Sequence, residues 1–245
     1  MKSFVAAVGF LTRFPVGRMI VCDSTEVARS AGWFPLIGIF LGAIYYLAAA
    51  TLRTHLPLGV VSVLLVILDS IATGALHFDG LADTADGFGG GKNSEDILRI
   101  MRDHAIGSYG GFALASAIVL KVTAYTTLLD RSGWVVALIL TPAMGRWAIL
   151  LLTATLPYAR QSRSVTEWMG KGALVWGTVL MLLALIASRS LRAGIAVVVI
   201  ITVTALFGFY CRRRIGGITG DTLGASLQLC ECAALLTFLW TGLPQ

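Results

Sequence analysis

Seven stretches of apolar sequence decide what this chain can fold into: residues 32–52, 58–77, 107–129, 134–156, 173–188, 193–211 and 222–241. Most are about 20 residues long, the length a helix needs to cross the roughly 30 Å hydrocarbon core of a bilayer. The fifth is the shortest, and the seventh is interrupted by Gln228 and Glu231. Only 13% of the 245 residues are charged, about half the ~25% of a soluble domain. With 57% of its residues hydrophobic, a soluble fold would lack the charge to cover its surface. Composition therefore excludes an ordinary soluble enzyme, a disordered chain and a disulfide scaffold. The expected fold is all-α: a polytopic membrane bundle of about seven transmembrane helices, one domain over residues 1–245. At the N-terminus, Arg13 and Pro15 end a short apolar run. That run suits an interfacial amphipathic helix better than a cleaved signal.

Basic residues give the orientation. With the N-terminus in the cytoplasm, Lys2, Arg13, Arg18, Arg29, Lys92, Arg99, Arg102, Arg160, Arg163, Lys171, Arg212, Arg213 and Arg214 fall on the cytoplasmic side. Only Arg53, Arg131, Arg189 and Arg192 fall on the other. This is the positive-inside pattern. The net charge of +6 then reflects basic loops facing an anionic leaflet, and no nucleic-acid partner is expected. Cys22, Cys211, Cys230 and Cys232 lack metal-ligand spacing and read as small apolar fillers.

The acids are concentrated. Asp79, Asp83, Asp86, Glu95, Asp96 and Asp103 all lie in the long polar stretch between the second and third spans. Within His77-Phe-Asp-Gly-Leu-Ala-Asp-Thr-Ala-Asp-Gly87, the first three acids are spaced i, i+4, i+7. On a helix they share one face, where like charges repel unless a cation sits between them. Mg²⁺ is the expected cation, because it takes carboxylate oxygens and completes its shell with substrate phosphates. Asp79, Asp83, Asp86, Asp103 and Asp221 are the candidate ligands. The pattern indicates a metal and a diphosphate without naming a substrate.

Two glycine-rich stretches flank this chemistry. Gly89, Gly90 and Gly91 would let backbone N–H groups approach a phosphate. Gly216, Gly217 and Thr219 lead into Asp221, where Thr219 is placed to cap the last span. Both groups are candidate substrate contacts. Arg102 is a candidate phosphate clamp, since a guanidinium suits bidentate contact. His77 is a candidate for proton transfer, and the exposed-loop His104 a weaker one. Charges inside spans need partners. Asp69 with Lys121, or Glu231 with Arg146, would supply them, and Arg146 is also a candidate substrate contact.

These blocks resemble the cobalamin synthase family of adenosylcobinamide-GDP ribazoletransferases. The resemblance rests on Phe10-Leu-Thr-Arg-Phe-Pro15, Phe34-Pro-Leu-Ile-Gly38, His77 to Gly87, Met101-Arg-Asp103, Gly107, Gly110-Gly111, Gly145-Arg146 and Gly216 to Ala225. It spans nearly the full chain. The chain departs from the family pattern after Arg160, reading Gln161-Ser-Arg-Ser-Val-Thr-Glu-Trp168 where a Gly-Leu-Gly type of sequence is usual. The resemblance implies a multi-pass enzyme of the cytoplasmic (inner) membrane with its active site facing the cytoplasm. It implies Mg²⁺-dependent joining of adenosylcobinamide-GDP to α-ribazole or its 5′-phosphate, with release of GMP. In this reading the ribazole 5′-hydroxyl attacks phosphorus, and His77 or an aspartate takes its proton. Asp83, Arg102 and Arg146 serve the reaction alongside. The partners are those two substrates, the lipid bilayer and, as an option, a second copy of the chain. The competing readings are a prenyltransferase or CDP-alcohol phosphotransferase, and a divalent-cation transporter, which would place its acids at mid-membrane depth.

Overall fold

The computed structural model describes residues 2–15, 30–160 and 171–242. Arg18, Cys22, Arg29, Arg163 and the segment 161–168 lie outside the described residues. Ten α-helices follow in order: α1 Lys2–Leu11, α2 Phe34–Leu52, α3 Leu58–Thr73, α4 Leu76–Gly90, α5 Ser94–Ile100, α6 Ser108–Leu128, α7 Trp134–Thr155, α8 Lys171–Ser188, α9 Leu191–Ile215 and α10 Gly220–Leu239. The expected all-α fold is what the structure shows.

The span count changes. Among the described residues, five helices are long and apolar enough to cross a bilayer: α2 with the turn before it, α6, α7, α9 and α10. A sixth arises only if α3 and α4 count together, and they are bent by 91° at their junction. The sequence reading gave about seven because it credited residues 58–77 and 173–188 as full spans. The first of these breaks early. Gly74 (φ 65°) and Ala75 (φ 57°) both adopt the left-handed conformation. The Ala75 N–H returns to the Ser70 carbonyl at 2.8 Å, closing α3 in the manner of a left-handed helix end. Without a Cβ, Gly74 takes this turn at little cost. The second, α8, is shorter than the others.

Helix α7 is the axle of the bundle, with most of its residues buried. Gly38 and Gly42 of α2, four apart, press their backbones onto Ala143 and Ile139 of α7. Small residues at this spacing let membrane helices approach closely where no hydrophobic effect drives them together. The α6–α7 turn and the end of α10 meet at one end of the bundle, where Arg131 donates to the Leu239 carbonyl at 2.9 Å. Arg192, at the start of α9, joins them through the Phe238 carbonyl at 2.8 Å. The opposite end gathers α4, α5, the close of α7 and the α9–α10 turn.

Between the two ends lies a buried charge network. Glu231 of α10 pairs with Lys121 of α6 at 2.6 Å and with Arg146 of α7 at 2.9 Å. Lys121 also lies 3.5 Å from Asp69 of α3, which accepts from Tyr45 Oη of α2 at 2.7 Å. Two cations meet two anions, as charges in an apolar interior require.

Candidate active site

Helix α4 carries the acidic motif, and its composition is poor for a helix. Gly80, Gly87, Gly89 and Gly90 all fall inside it, each costing about 1 kcal/mol against Ala. Burial offsets this cost. His77, Phe78, Leu81, Ala82 and Thr84 face inward against α6 and α10. At Gly80 an added Cβ would sit 2.7 Å from the Asp221 carbonyl oxygen, and at Gly224 one would sit 3.3 Å from His77 Cα. The two backbones therefore touch where α4 crosses the start of α10. That contact brings Asp221 beside the aspartate face, although Asp83 and Asp221 are 138 positions apart in sequence.

The five candidate ligands separate by environment. Asp79 is exposed and Asp83 half-buried, and both are without a hydrogen bond or ion pair among the described residues. Partial burial, then the charges of Asp79, Asp221 and Asp86, push the Asp83 carboxyl up to about 6, against the opposing pull of Arg160. Asp86 is spent differently. Its two oxygens accept the backbone N–H groups of Gly107 and Gly110 at 2.7 and 2.8 Å. It thus caps the first turn of α6 from another helix, in place of a side-chain cap at Gly107. Asp103 accepts from the Ala105 N–H at 3.2 Å in an exposed turn. Asp221 accepts from Arg160 Nη2 at 2.6 Å. Among the described residues no three acids already stand at metal-binding separation.

Other predicted residues are placed as follows. His77 is buried, on the side of α4 away from the aspartates, within electrostatic reach of Arg146, Asp69 and Lys121. Arg146 is fully buried in its pairing with Glu231. Arg102 and His104 are exposed. Gly89 lies under the Tyr109 ring, Gly90 beside Ile100 and Gly91 against Ile97; the stretch expected to be a loop is largely helix. Gly216 (φ 78°) ends α9. Gly217 sits against the Pro157 carbonyl, with no room for a side chain. Thr219 caps α10 through the Thr222 N–H at 3.2 Å, as the sequence suggested.

Three residues that sequence reading had counted only as loop charge turn out to border this site. Arg160 pairs with Asp221. Arg214 donates to the Phe88 and Gly91 carbonyls at 3.0 and 3.1 Å, satisfying the C-terminal end of α4. Arg13 and Asp79 both line a half-open cavity of about 480 Å³. No local pattern could have marked them, since each acts on a helix distant in sequence.

The site therefore offers two free carboxylates one helical turn apart, a third across the helix crossing, a neutralising guanidinium and a cavity alongside. Its candidate ligands are all hard carboxylate oxygens. Mg²⁺ is usually held by one or two carboxylates plus substrate phosphates rather than by a complete protein cage. Asp79, Asp83 and Asp221 fit that pattern.

A family profile described as Cobalamin-5-phosphate synthase matches residues 3–239. Relatives named adenosylcobinamide-GDP ribazoletransferase from Clostridium botulinum, Shewanella sp. and Ralstonia nicotianae are 34%, 35% and 35% identical. The alignments cover 98% of this chain and 98%, 94% and 96% of those relatives. No solved structure matches the chain.

Proposed function

The chain belongs to the cobalamin-5-phosphate synthase family and is a membrane transferase of cobalamin biosynthesis; from that premise we propose that it joins adenosylcobinamide-GDP to α-ribazole or its 5′-phosphate and releases GMP. The observation that supports this reading is the acid group of Asp79, Asp83 and Asp221, only partly offset by Arg160, with Asp79 lining a cavity. Asp79, Asp83 and Asp221 would hold Mg²⁺, which when bound neutralises the diphosphate and stabilises the leaving phosphate.

The chain's own residues then have distinct duties. Arg13, which lines the cavity with Asp79, and Arg102, exposed in the turn after α5, would bind phosphate oxygens. The α4–α10 crossing at Gly80 and Gly224 sets the distance between Asp83 and Asp221. The attacking oxygen forms its bond to the phosphorus on the cobinamide side, and the bond from that phosphorus to the bridging oxygen breaks as GMP leaves. An acceptor esterified at its 5′-position has no 5′-hydroxyl to offer. A secondary ribose hydroxyl is the nucleophile that serves both acceptors, in place of the 5′-hydroxyl of the sequence reading. Its proton passes to a carboxylate of the group, because His77 faces the other way.

We further propose that the N-terminus and this site face the cytoplasm at the inner membrane. The basic residues support it: Arg160 and Arg214 lie at the same end of the bundle as the aspartates. A transporter is disfavoured because the deep acids, Asp69 and Glu231, are closed into ion pairs. The test is GMP release by the purified protein in detergent with adenosylcobinamide-GDP, α-ribazole and Mg²⁺. Magnesium-dependent release is expected. Metal flux into vesicles without any turnover would sink the reading.

A further inference from the structure

We propose that Arg160 is the resident counter-ion of the acid group. It holds Asp221 until a divalent cation displaces it, and the freed guanidinium then binds a phosphate oxygen of the diphosphate. The inference rests on the functional reading above and concerns a residue that this reading leaves unassigned.

Three arginines near the site are used in different ways. Arg146 is fully buried and held by Glu231 and the Pro142 carbonyl. Arg214 is committed to two carbonyls of α4 and packs over the Phe88 and Tyr210 rings. Arg160 differs from both. Its guanidinium can donate five hydrogen bonds, yet among the described residues Asp221 is its one acceptor, at 2.6 Å. Its Nε is buried with no partner among those residues, as are Nε and Nη2 of Arg146, but of the two only Arg160 reaches solvent. Unsatisfied donors of this kind are costly and are suited to an incoming anion.

The backbone beneath Arg160 is fixed. The Ala159 N–H donates to the Ile218 carbonyl at 2.8 Å, and the Ile218 N–H to the Pro157 carbonyl at 2.9 Å. These bonds tie the end of α7 to the turn before α10. The guanidinium is thereby anchored next to Asp221, with part of its side chain reaching solvent. Its charge also acts on Asp83. Releasing Arg160 from Asp221 leaves no helix end uncapped, because Thr219 caps α10 by accepting the Thr222 N–H while its hydroxyl donates to Asp221 Oδ2 at 3.3 Å. A cation binding at Asp83 and Asp221 and a guanidinium on Asp221 compete for the same oxygens, so the two states exclude each other.

The experiment is Mn²⁺ binding to the full-length protein in detergent, followed by electron paramagnetic resonance, with no substrate present. Removing the competing charge should tighten binding. We expect Arg160→Gln to bind Mn²⁺ about five- to tenfold more tightly than wild type, and Arg160→Lys to fall between them. In turnover, Arg160→Gln should raise KM for adenosylcobinamide-GDP about tenfold. A merely structural arginine would give the opposite sign in the first assay, since a loosened site binds metal more weakly. Should Arg160→Gln fail to fold, the intermediate affinity of Arg160→Lys carries the test. Wild-type binding with unchanged or weaker affinity in the variants overturns this inference alone. No Mn²⁺ binding by wild type overturns the metal reading and this inference with it.

Discussion

In the middle of the bundle, Glu231 meets Lys121 at 2.6 Å and Arg146 at 2.9 Å, and Asp69 is shared between Lys121 and Tyr45. At the end of the bundle, Asp79 and Asp83 form no ion pair among the described residues, and Asp221 has Arg160 and the Thr219 hydroxyl. The central charges cancel inside the protein, so they link α2, α3, α6, α7 and α10. The terminal acids leave an excess of negative charge that water and one arginine only partly offset. Paired buried charge marks architecture, and unpaired charge at a cavity marks the place where a ligand is completed.

Substituting one acid in each region should separate the two. Asp83→Asn keeps the size and burial of the side chain and relieves repulsion with Asp79 and Asp221. We expect turnover to fall about a thousandfold, with thermal stability in detergent unchanged or slightly raised. Glu231→Ala should do the reverse in kind. It strands Lys121 and Arg146 in an apolar interior, which costs about 3–5 kcal/mol. Loss of the folded, monodisperse species on size exclusion is the expected outcome. Near-normal turnover by Asp83→Asn, or normal stability of Glu231→Ala, would erase the distinction.

The two regions should also part in their response to pH. The Asp83 carboxyl is raised to about 6, so a proton competes with the cation as pH falls through that value. At limiting Mg²⁺, turnover should drop about tenfold per pH unit below 6, and added Mg²⁺ should restore it. The sign for stability is opposite. A carboxyl raised in the folded state disfavours folding at neutral pH, and protonation relieves this. The metal-free protein should therefore lose no stability through Asp83 between pH 7 and 5. A parallel fall of activity and melting temperature would show that acid acts on the fold instead.

How much of this could be read from the sequence follows from the range of each signal. Apolar runs are local, and the helices at 34–52, 108–128, 134–155 and 220–239 fall close to the expected segments. The aspartate face is also local, since i, i+4, i+7 spacing defines it once a helix forms. The bend at Gly74–Ala75 was missed because hydropathy continues across it to His77 while the backbone does not. The helix over 76–90 was missed as such because its glycines argue for a loop, and only packing against α6 and α10 overrides them. Arg160, Arg214 and the cap from Asp86 were illegible for a third reason. Each joins residues 61 to 126 positions apart, or in the case of Asp86 21 and 24 apart across a turn and a helix, and charge counts alone cannot assign partners. The pairs Asp69–Lys121 and Arg146–Glu231 were anticipated because a charge inside a membrane span has so few ways to be satisfied. The link between Lys121 and Glu231, which joins them into one network, needed the structure.

The smallest effect concerns the residue that belongs to both regions. Asp86 lies on the aspartate face, yet its oxygens are taken by the Gly107 and Gly110 N–H groups, as a structural acid's would be. An added Cβ at Gly110 would collide with that carboxylate, so the glycine and the aspartate are matched. If capping is its main duty, Asp86→Asn retains one acceptor and loses the charge that favours a helix N-terminus. The cost should be about 1 kcal/mol of stability. Turnover should fall far less than in Asp83→Asn, by roughly the few-fold that a loosened α6 start produces. Mn²⁺ affinity should change little. A loss of turnover and of Mn²⁺ binding equal to that of Asp83→Asn would move Asp86 from the architectural set to the ligand set, and the free acids would then number one more than the hydrogen bonds suggest.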